Sequence, residues 1–333
     1  MSLINMNPTK ATFWTDGSFN RRRALGFGAG ALVAGTAGSA LGAAEPAKGK
    51  LKLDFTKPED NLTAWVKLAA SLDSGSETCG YYKGEVALVT SPDQKNIPLF
   101  GYEGFGMSRV TKMPDGRWQN LHREISYYTD LRSGAILTEW KNPFSNETVK
   151  VYPTTNDPVN SYYSTEFKQT FGEAGKQETV TFPFILPWDI FDDRVVATFT
   201  VHTRWPSPFK KEKWPREYIG EWYKTSEMFQ IHTRLSDLED PSKPKAYSTG
   251  AWFKEAPLMP WMLMDNAPAR LVYNTRTFGL KSTADLPAKI REYTEKNYPK
   301  YLNAPDKWVE PNMTTFETWV TLMTPAPAKK GSS

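Results

Sequence analysis

The 333-residue sequence contains a single cysteine, Cys79, and only three histidines. One cysteine cannot form an internal disulfide, so a stable fold must depend on its apolar core alone. Cysteine metal pairs, a P-loop, a dinucleotide-binding glycine pattern and a nucleophile elbow are all missing from the sequence. The histidines also lack the close i, i+2 or i, i+4 spacing of metal ligands. The sequence therefore predicts neither a metal site nor a cofactor.

A strongly apolar run of about 20 residues, the length that a membrane-spanning helix needs, is also missing. Residues 24–44 are instead weakly apolar, rich in alanine and glycine, and directly follow Arg21, Arg22 and Arg23. A basic segment, a mild apolar segment and small residues before Glu45 predict a twin-arginine-type export signal over residues 1–44. We expect cleavage after this signal, a periplasmic location and no stable membrane insertion of the mature chain.

Net charge gives little sign of a charged partner. Residues 1–44 carry Lys10 and three arginines against Asp16, so the formal charge of +4 falls to +1 for residues 45–333. A nearly neutral mature chain without a basic stripe gives no electrostatic reason to expect nucleic acid or an acidic membrane as partner. No Gly/Ser-rich linker divides residues 45–333, which predicts one β-rich domain.

Aromatic residues make up 14% of the sequence, and its 25 prolines lie mostly between apolar runs. This combination is typical of many strands joined by turns. Alternation with period two marks twelve candidate strands. They run roughly over residues 84–89, 101–111, 118–129, 136–140, 149–152, 162–170, 178–184, 194–205, 228–235, 247–254, 271–277 and 316–323.

Twelve strands, many of them long, predict a large antiparallel sheet. We expect it to curl into a β-barrel of the calycin or lipocalin kind, because closure removes exposed strand edges and leaves room for a ligand cavity. The alternative is a two-sheet β-sandwich. Apolar residues at helical spacing predict two peripheral helices, at residues 58–74 and at about 284–297.

Two predicted strands carry histidine and arginine together on one face, His202 with Arg204 and His232 with Arg234. If the apolar faces pack outward against helices and loops, these polar faces line the barrel interior. Either histidine would then act as acid or base, and the arginines would stabilise an oxyanion. Tyr127 is a further catalytic candidate, as a hydrogen-bond donor. Alternation equally allows a solvated outer face for the His/Arg pairs.

Candidate ligand-binding residues combine polar side chains in turns with large aromatic rings. They are His122, Arg123, Trp140, Asn156, Asp157, Asn160, Trp252 and Trp261. The Asn-Asp-Pro run at residues 156–160 would offer donors and acceptors at a barrel mouth, or would simply form a hairpin turn. The proline-interrupted apolar run at residues 257–264 would form either a pocket wall or a plug at one barrel end.

Five short runs carry a resemblance to a known family. They are His122-Arg123-Glu124, Tyr127-Tyr128, Trp140-Lys141-Asn142-Pro143, Asn156-Asp157-Pro158-Val159-Asn160 and Pro260-Trp261-Met262. In these runs the chain resembles the bacterial family called domain of unknown function 1838, over nearly all of the mature chain. The resemblance implies a single exported domain, since members often carry twin-arginine signals, and it implies no established activity or cofactor. His232 departs from the aromatic or apolar residue that is usual in its strand.

These observations lead to a functional hypothesis. We expect a periplasmic, cofactor-independent enzyme that moves a proton on a small hydrophobic or aromatic molecule, as an isomerase, hydratase-dehydratase or lyase does. The alternative is a lipocalin-like periplasmic protein that binds such a molecule without turnover. An interior rich in Trp, Tyr, Phe and Met favours a flat aromatic acid or phenol over a sugar, whose many hydroxyl groups would lack partners.

Overall fold

The computed structural model describes residues 12–15, 51–93, 95–171 and 178–327. Apart from residues 12–15, the export signal predicted over residues 1–44 lies outside the described residues. The described chain is mainly antiparallel β-sheet with few helices, and its large sheet curls into a half-barrel. The mainly β, barrel-like prediction is therefore confirmed.

Fourteen strands are present in the described ranges. They are β1 (Thr12–Thr15), β2 (Glu77–Thr90), β3 (Asn96–Lys112), β4 (Trp118–Thr129), β5 (Glu139–Lys141), β6 (Thr148–Lys150), β7 (Thr154–Tyr163), β8 (Glu166–Phe171), β9 (Glu178–Pro183), β10 (Trp188–Phe191), β11 (Arg194–Pro206), β12 (Trp222–Arg234), β13 (Ser248–Ala256) and β14 (Ala269–Leu280). The half-barrel follows the order β11, β12, β13, β14, β2, β3, β4, β7, all antiparallel. β10 and β1 pair with β11, while β5 with β6 and β8 with β9 form separate two-stranded ribbons.

Four α-helices accompany these strands in the described ranges. They are α1 (Pro58–Ala69), α2 (Leu235–Glu239), α3 (Ala288–Asn297) and α4 (Thr315–Leu322). α1 and α3 match the two predicted helices in position. No helix in the described part of the chain is long and apolar enough to cross a bilayer.

The strand predicted at residues 316–323 is wrong, because this segment is α4. Thr314 and Glu317 form a capping box at its start, in which each side chain bonds the other residue's backbone N–H. Phe316 and Trp319 are buried three residues apart on one face of the helix. Aromatic and β-branched composition favoured a strand, whereas the cap and the spacing of the apolar residues favour a helix.

α1 begins where its sequence allows it and packs against the concave face of the sheet. Pro58 lies in the first turn, with Glu59 and Asp60 beside it, and negative charge there complements the helix dipole. Leu62, Trp65 and their neighbours are buried against residues of β7, β11 and β12. α1 therefore lies inside the curl of the sheet rather than at its periphery.

A seam between β7 and β11 remains, since these strands do not pair with each other in the described structure. Trp65 of α1 fills one end of this seam. Its ring centroid lies 6.1 Å from that of Tyr163 in β7 and 5.8 Å from that of Phe199 in β11, both in edge arrangements. Trp65 of α1 thus packs against both β7 and β11 and connects the two strands across the seam.

The free edge of β7 is paired with the segment that precedes α4. Asp157 N donates to Met313 O, and Met313 N donates to Pro158 O, each at 3.1 Å. Asn160 N also donates to Asn312 Oδ1 at 2.9 Å. These bonds satisfy backbone groups that would otherwise offer an exposed edge to another chain.

Trp65 provides a test of the seam. Trp65→Ala removes a ring that is 3% exposed, and we expect the free energy of unfolding to fall by roughly 3–5 kcal/mol. Trp222→Ala is the matched control, since its ring is 37% exposed on the outer face, and it should cost less than about 1 kcal/mol. Urea denaturation measures both, and equal losses would contradict the role given to Trp65.

Candidate functional site

A cavity of about 130 Å³ lies on the concave face of the half-barrel. Every strand of the half-barrel contributes residues to its wall, because alternate residues along each strand point to the same side. Its walls are Tyr82, Tyr102, Gly106, Glu124, Thr154, Asn156, Val159, Val201, Thr203, Trp205, Tyr223, Glu227, Phe229, Trp252, Lys254, Ala256, Pro257, Met259, Tyr273, Thr277, Thr314, Thr315 and Phe316. Most of the wall is aromatic or aliphatic, and a few polar groups converge within it, as in small-molecule sites.

The apolar run at residues 257–264 covers one end of this cavity. Met259 reaches the cavity wall, whereas Trp261 packs behind it in the core. The Trp261 ring lies 5.2 Å from that of Tyr128 and 5.7 Å from that of Phe100. The run therefore serves in both predicted ways, with Pro257 and Met259 in the wall and Trp261 in the plug behind it.

Glu124 supplies a buried carboxylate to the cavity. Its position is fixed by Asn156 on the neighbouring strand β7, whose Nδ2 donates to Glu124 Oε1. The second oxygen, Oε2, faces His122 Nε2 at 3.8 Å. His122 Nδ1 in turn lies 2.8 Å from Ser108 Oγ on β3. Glu124 lines the cavity, while His122 and Ser108 lie behind it.

Tyrosine hydroxyl groups form a second polar cluster above Glu124. Ser126 Oγ lies 2.9 Å from the Tyr82 hydroxyl and 2.6 Å from the Tyr102 hydroxyl. Burial, reinforced by the Glu124 carboxylate, raises the pKa of Tyr82 well above its usual range. Gly104 lies opposite Ser126, and a Cβ there would be only 2.5 Å from Ser126 Cβ. The glycine thus leaves room for the hydroxyl cluster.

Tyr128 and Tyr273 extend this cluster across the sheet. Their hydroxyl oxygens lie 3.0 Å apart, and Tyr128 also lies 3.3 Å from Thr154 Oγ1. Burial raises the pKa of Tyr128 to about 12, so its hydroxyl keeps its proton at neutral pH. These tyrosines act as hydrogen-bonding groups rather than as bases.

An ion pair forms the third polar cluster. Lys254 Nζ lies 3.1 Å from Glu227 Oε1, and Trp252 Nε1 donates to Glu227 Oε2 at 2.9 Å. Burial is the largest single influence and favours the neutral amine of Lys254, but the charge and hydrogen bond of Glu227 together with the neighbouring tyrosines outweigh it, so the pKa of Lys254 is raised. The pair is thus charged, and its two members largely neutralise each other.

The predicted His/Arg pairs lie on the opposite side of the sheet from this cavity. His232 and Arg234 are exposed, and Arg204 lies over the Trp222 ring at 4.1 Å on the outer face. His202 Nδ1 lies 3.0 Å from Ser226 Oγ, and burial lowers the pKa of His202. The expectation that these polar faces line the interior is wrong, because the apolar faces of β11 and β12 pack inward against α1 and the cavity.

Several other candidates also lie outside the cavity, on the outer face of β4 or at the β7 edge. The Tyr127 hydroxyl lies 2.8 Å from Thr294 Oγ1, beneath α3. Arg123 Nε lies 3.2 Å from Asp157 Oδ1, and Asn160 Nδ2 donates to Val309 O at 2.6 Å. These contacts hold helix α3 and the later chain segments onto the sheet.

Of the predicted binding residues, Asn156 and Trp252 reach the cavity wall. His122 lies directly behind Glu124, and Trp140 packs against Trp261 at 6.0 Å between ring centroids. The prediction missed the charged groups Glu124, Glu227 and Lys254. Glu124 could have been predicted from the sequence, because it follows His122 by two residues and therefore lies on the same strand face.

The strands of the half-barrel that build this cavity all lie in the part of the chain that matches a known family. The family described as protein of unknown function (DUF1838) matches residues 75–322, which run from before β2 to the last residue of α4. The chain belongs to this family. No curated protein matches the chain. α1 precedes the matched range, so the helix that fills the seam lies outside the family segment.

Metal-binding side chains do not converge in this region. In the described ranges, no group of three or more His, Cys, Asp or Glu side chains is placed to hold a metal ion. Among the acid–base groups of the cavity wall, Glu124 is the carboxylate that no lysine neutralises in the described contacts.

Lys254 provides a test of the charged cluster. Lys254→Met leaves the Glu227 carboxylate, whose side chain is only 13% exposed, without its counter-charge, and we expect the free energy of unfolding to fall by about 3 kcal/mol. Arg270→Met is the matched control, because Arg270 pairs at 3.0 Å with Glu255 on the exposed surface and should cost less than about 1 kcal/mol. Thermal and urea denaturation would measure both, and a negligible effect of Lys254→Met would contradict this account.

Proposed function

We propose that this protein binds a small aromatic molecule in the half-barrel cavity and transfers a proton to or from it through Glu124. The reaction would belong to the isomerase, hydratase-dehydratase or lyase type and would need no cofactor. The observation that carries the proposal is a buried carboxylate, held by Asn156, in the wall of a cavity lined mostly by aromatic and aliphatic side chains. General acid–base catalysis needs such a positioned group within reach of the substrate.

The size of the cavity supports a one-ring ligand. Its volume of about 130 Å³ is close to that of an engineered apolar cavity of about 150 Å³ that binds benzene. Burial of a ring against these walls gains roughly 25 cal/mol per Å² of apolar surface. Face and edge contacts with the surrounding rings add about 0.5–1.5 kcal/mol each.

The charges of the wall support a phenol rather than an aromatic acid. Two carboxylates, Glu124 and Glu227, face the cavity against one ammonium, Lys254, which Glu227 already pairs. A ligand carboxylate would therefore meet uncompensated negative charge at Glu124, whereas a hydroxyl would donate to it. Of the two ligand classes expected from the sequence, aromatic acids and phenols, we therefore propose the phenols.

We further propose that the protein works in the periplasm after export by the twin-arginine pathway. The support comes from Arg21, Arg22 and Arg23 followed by the alanine-rich stretch at residues 24–44. The single cysteine fits this location, because a fold without a disulfide is unaffected by the oxidising compartment.

Binding without turnover is a second candidate function. The hydroxyl groups of Tyr82 and Tyr102 bond Ser126, and that of Tyr273 bonds Tyr128. Lys254 bonds Glu227. This pairing leaves Glu124 as the single acid–base group with no charged partner assigned to it in the described wall. A lipocalin-like binding protein would use the same cavity without proton transfer.

Ligand binding is tested by filling the cavity. Val201→Phe adds volume to the wall, and we expect the affinity for phenol to fall at least tenfold because ring and side chain compete for the same space. Thr198→Phe is the matched control, since it lies on the outer face of the same strand and should leave affinity unchanged. Isothermal titration calorimetry measures phenol, benzoate and glucose. Tight glucose binding with no response to phenol would contradict the proposal.

Proton transfer is tested at Glu124. Native protein in D₂O should accelerate exchange of the methyl hydrogens of acetophenone, a one-ring ketone without a hydroxyl group, followed by proton NMR. We expect Glu124→Gln to lower this rate by about 10²–10⁴-fold with little change in the affinity for acetophenone, while Glu103→Gln, a buried glutamate on the outer face, should keep the native rate. Binding with no exchange in the native protein would favour the binding-only function.

A further inference from the structure

We propose that the hydroxyl group of the ligand binds between His122 Nε2 and Glu124 Oε2. The inference rests on the proposed binding of a small aromatic molecule in the cavity. It goes further by naming the polar group that the protein recognises and the two atoms that recognise it. His122 is thereby a specificity-determining residue, although it does not line the cavity itself.

The distance between these two atoms supports the proposal. His122 Nε2 and Glu124 Oε2 lie 3.8 Å apart, which is too long for a hydrogen bond between them. His122 is only 2% exposed, and its Nε2 has no hydrogen-bond partner among the described residues. A buried ring nitrogen ordinarily has a partner. A third polar atom between the two would supply it.

A hydroxyl oxygen has the right size and hydrogen-bonding capacity for this position. One oxygen, set to the side of the line that joins two atoms 3.8 Å apart, can lie about 2.8 Å from each of them. A hydroxyl group donates one hydrogen bond, to the Glu124 carboxylate, and accepts another from a ring N–H. A methyl group offers neither bond, and a ligand carboxylate would be repelled by Glu124.

Neighbouring strands hold both partners in place. Asn156 donates to Glu124 Oε1, so the carboxylate presents its other oxygen to His122. Ser108 Oγ lies 2.8 Å from His122 Nδ1, which fixes the ring plane. Ser108, His122, Glu124 and Asn156 come from the adjacent strands β3, β4 and β7. A site held on paired strands needs little rearrangement to bind its ligand.

The experiment compares two probes of nearly the same shape, 4-fluorophenol and 4-fluorotoluene, by fluorine NMR titration. The toluene is the more apolar, so a cavity without a hydroxyl-binding position would bind it more tightly. We expect the native protein to prefer the phenol at least tenfold. His122→Leu and Glu124→Gln should each reduce this preference below threefold while the affinity for the toluene stays the same.

Matched controls separate this position from general effects on the fold. His202→Leu removes a histidine that also lies beside a serine, but on the outer face, and Glu103→Gln alters a buried carboxylate beneath α3. Both controls should keep the native preference for the phenol.

Three results would count against these proposals. Equal or weaker binding of 4-fluorophenol by the native protein, with 4-fluorotoluene bound, would overturn the hydroxyl position and leave the aromatic cavity intact. A preference that survives both variants would overturn it as well. Failure of both probes to bind native protein would instead contradict the proposed function. The comparison of the two probes on native protein requires no variant, so it tests the hydroxyl position even if a variant fails to fold.

Discussion

The half-barrel depends on how its seam is filled. A curled antiparallel sheet that does not pair its first and last strands leaves backbone groups and apolar side chains exposed along two edges. Here the seam is filled by Trp65 at one end, while residues 312–315 pair with the β7 edge and β10 pairs with β11. Because helices and loops complete the enclosure, the curled sheet surrounds a cavity without closing on itself.

Many polar groups in the interior of the half-barrel are paired with one another. Burial of a hydroxyl or a charge costs free energy unless hydrogen bonds replace those made with water. Tyr102 bonds Ser126, Tyr128 bonds Tyr273, and Lys254 bonds Glu227. Paired polar groups of this kind fix the shape of the cavity. Recognition of the proposed ligand would then depend on the few polar atoms that have no partner within the protein.

The sequence predicted the sheet well and the site only in part. Period-two alternation located the long strands, and Pro58 with its acidic neighbours located α1. Alternation alone does not say which strand face is inside, so the sequence left both an interior and a solvated outer position open for His202 and His232. The orientation depends on α1 packing against the apolar face. Lys254 and Glu227 come from separate strands, and their pairing depends on the β12–β13 register, which single-strand patterns do not encode.

The contribution of residues 314–316 to the cavity wall has a consequence for the order of assembly. Thr314, Thr315 and Phe316 form part of the wall, although they follow β14 by more than one helix in the chain. The ribosome makes every strand of the half-barrel before it makes this part of the wall. A nascent chain can therefore form most of the sheet while its cavity still lacks one side. The cavity wall becomes complete only after nearly all of the described chain has been synthesised.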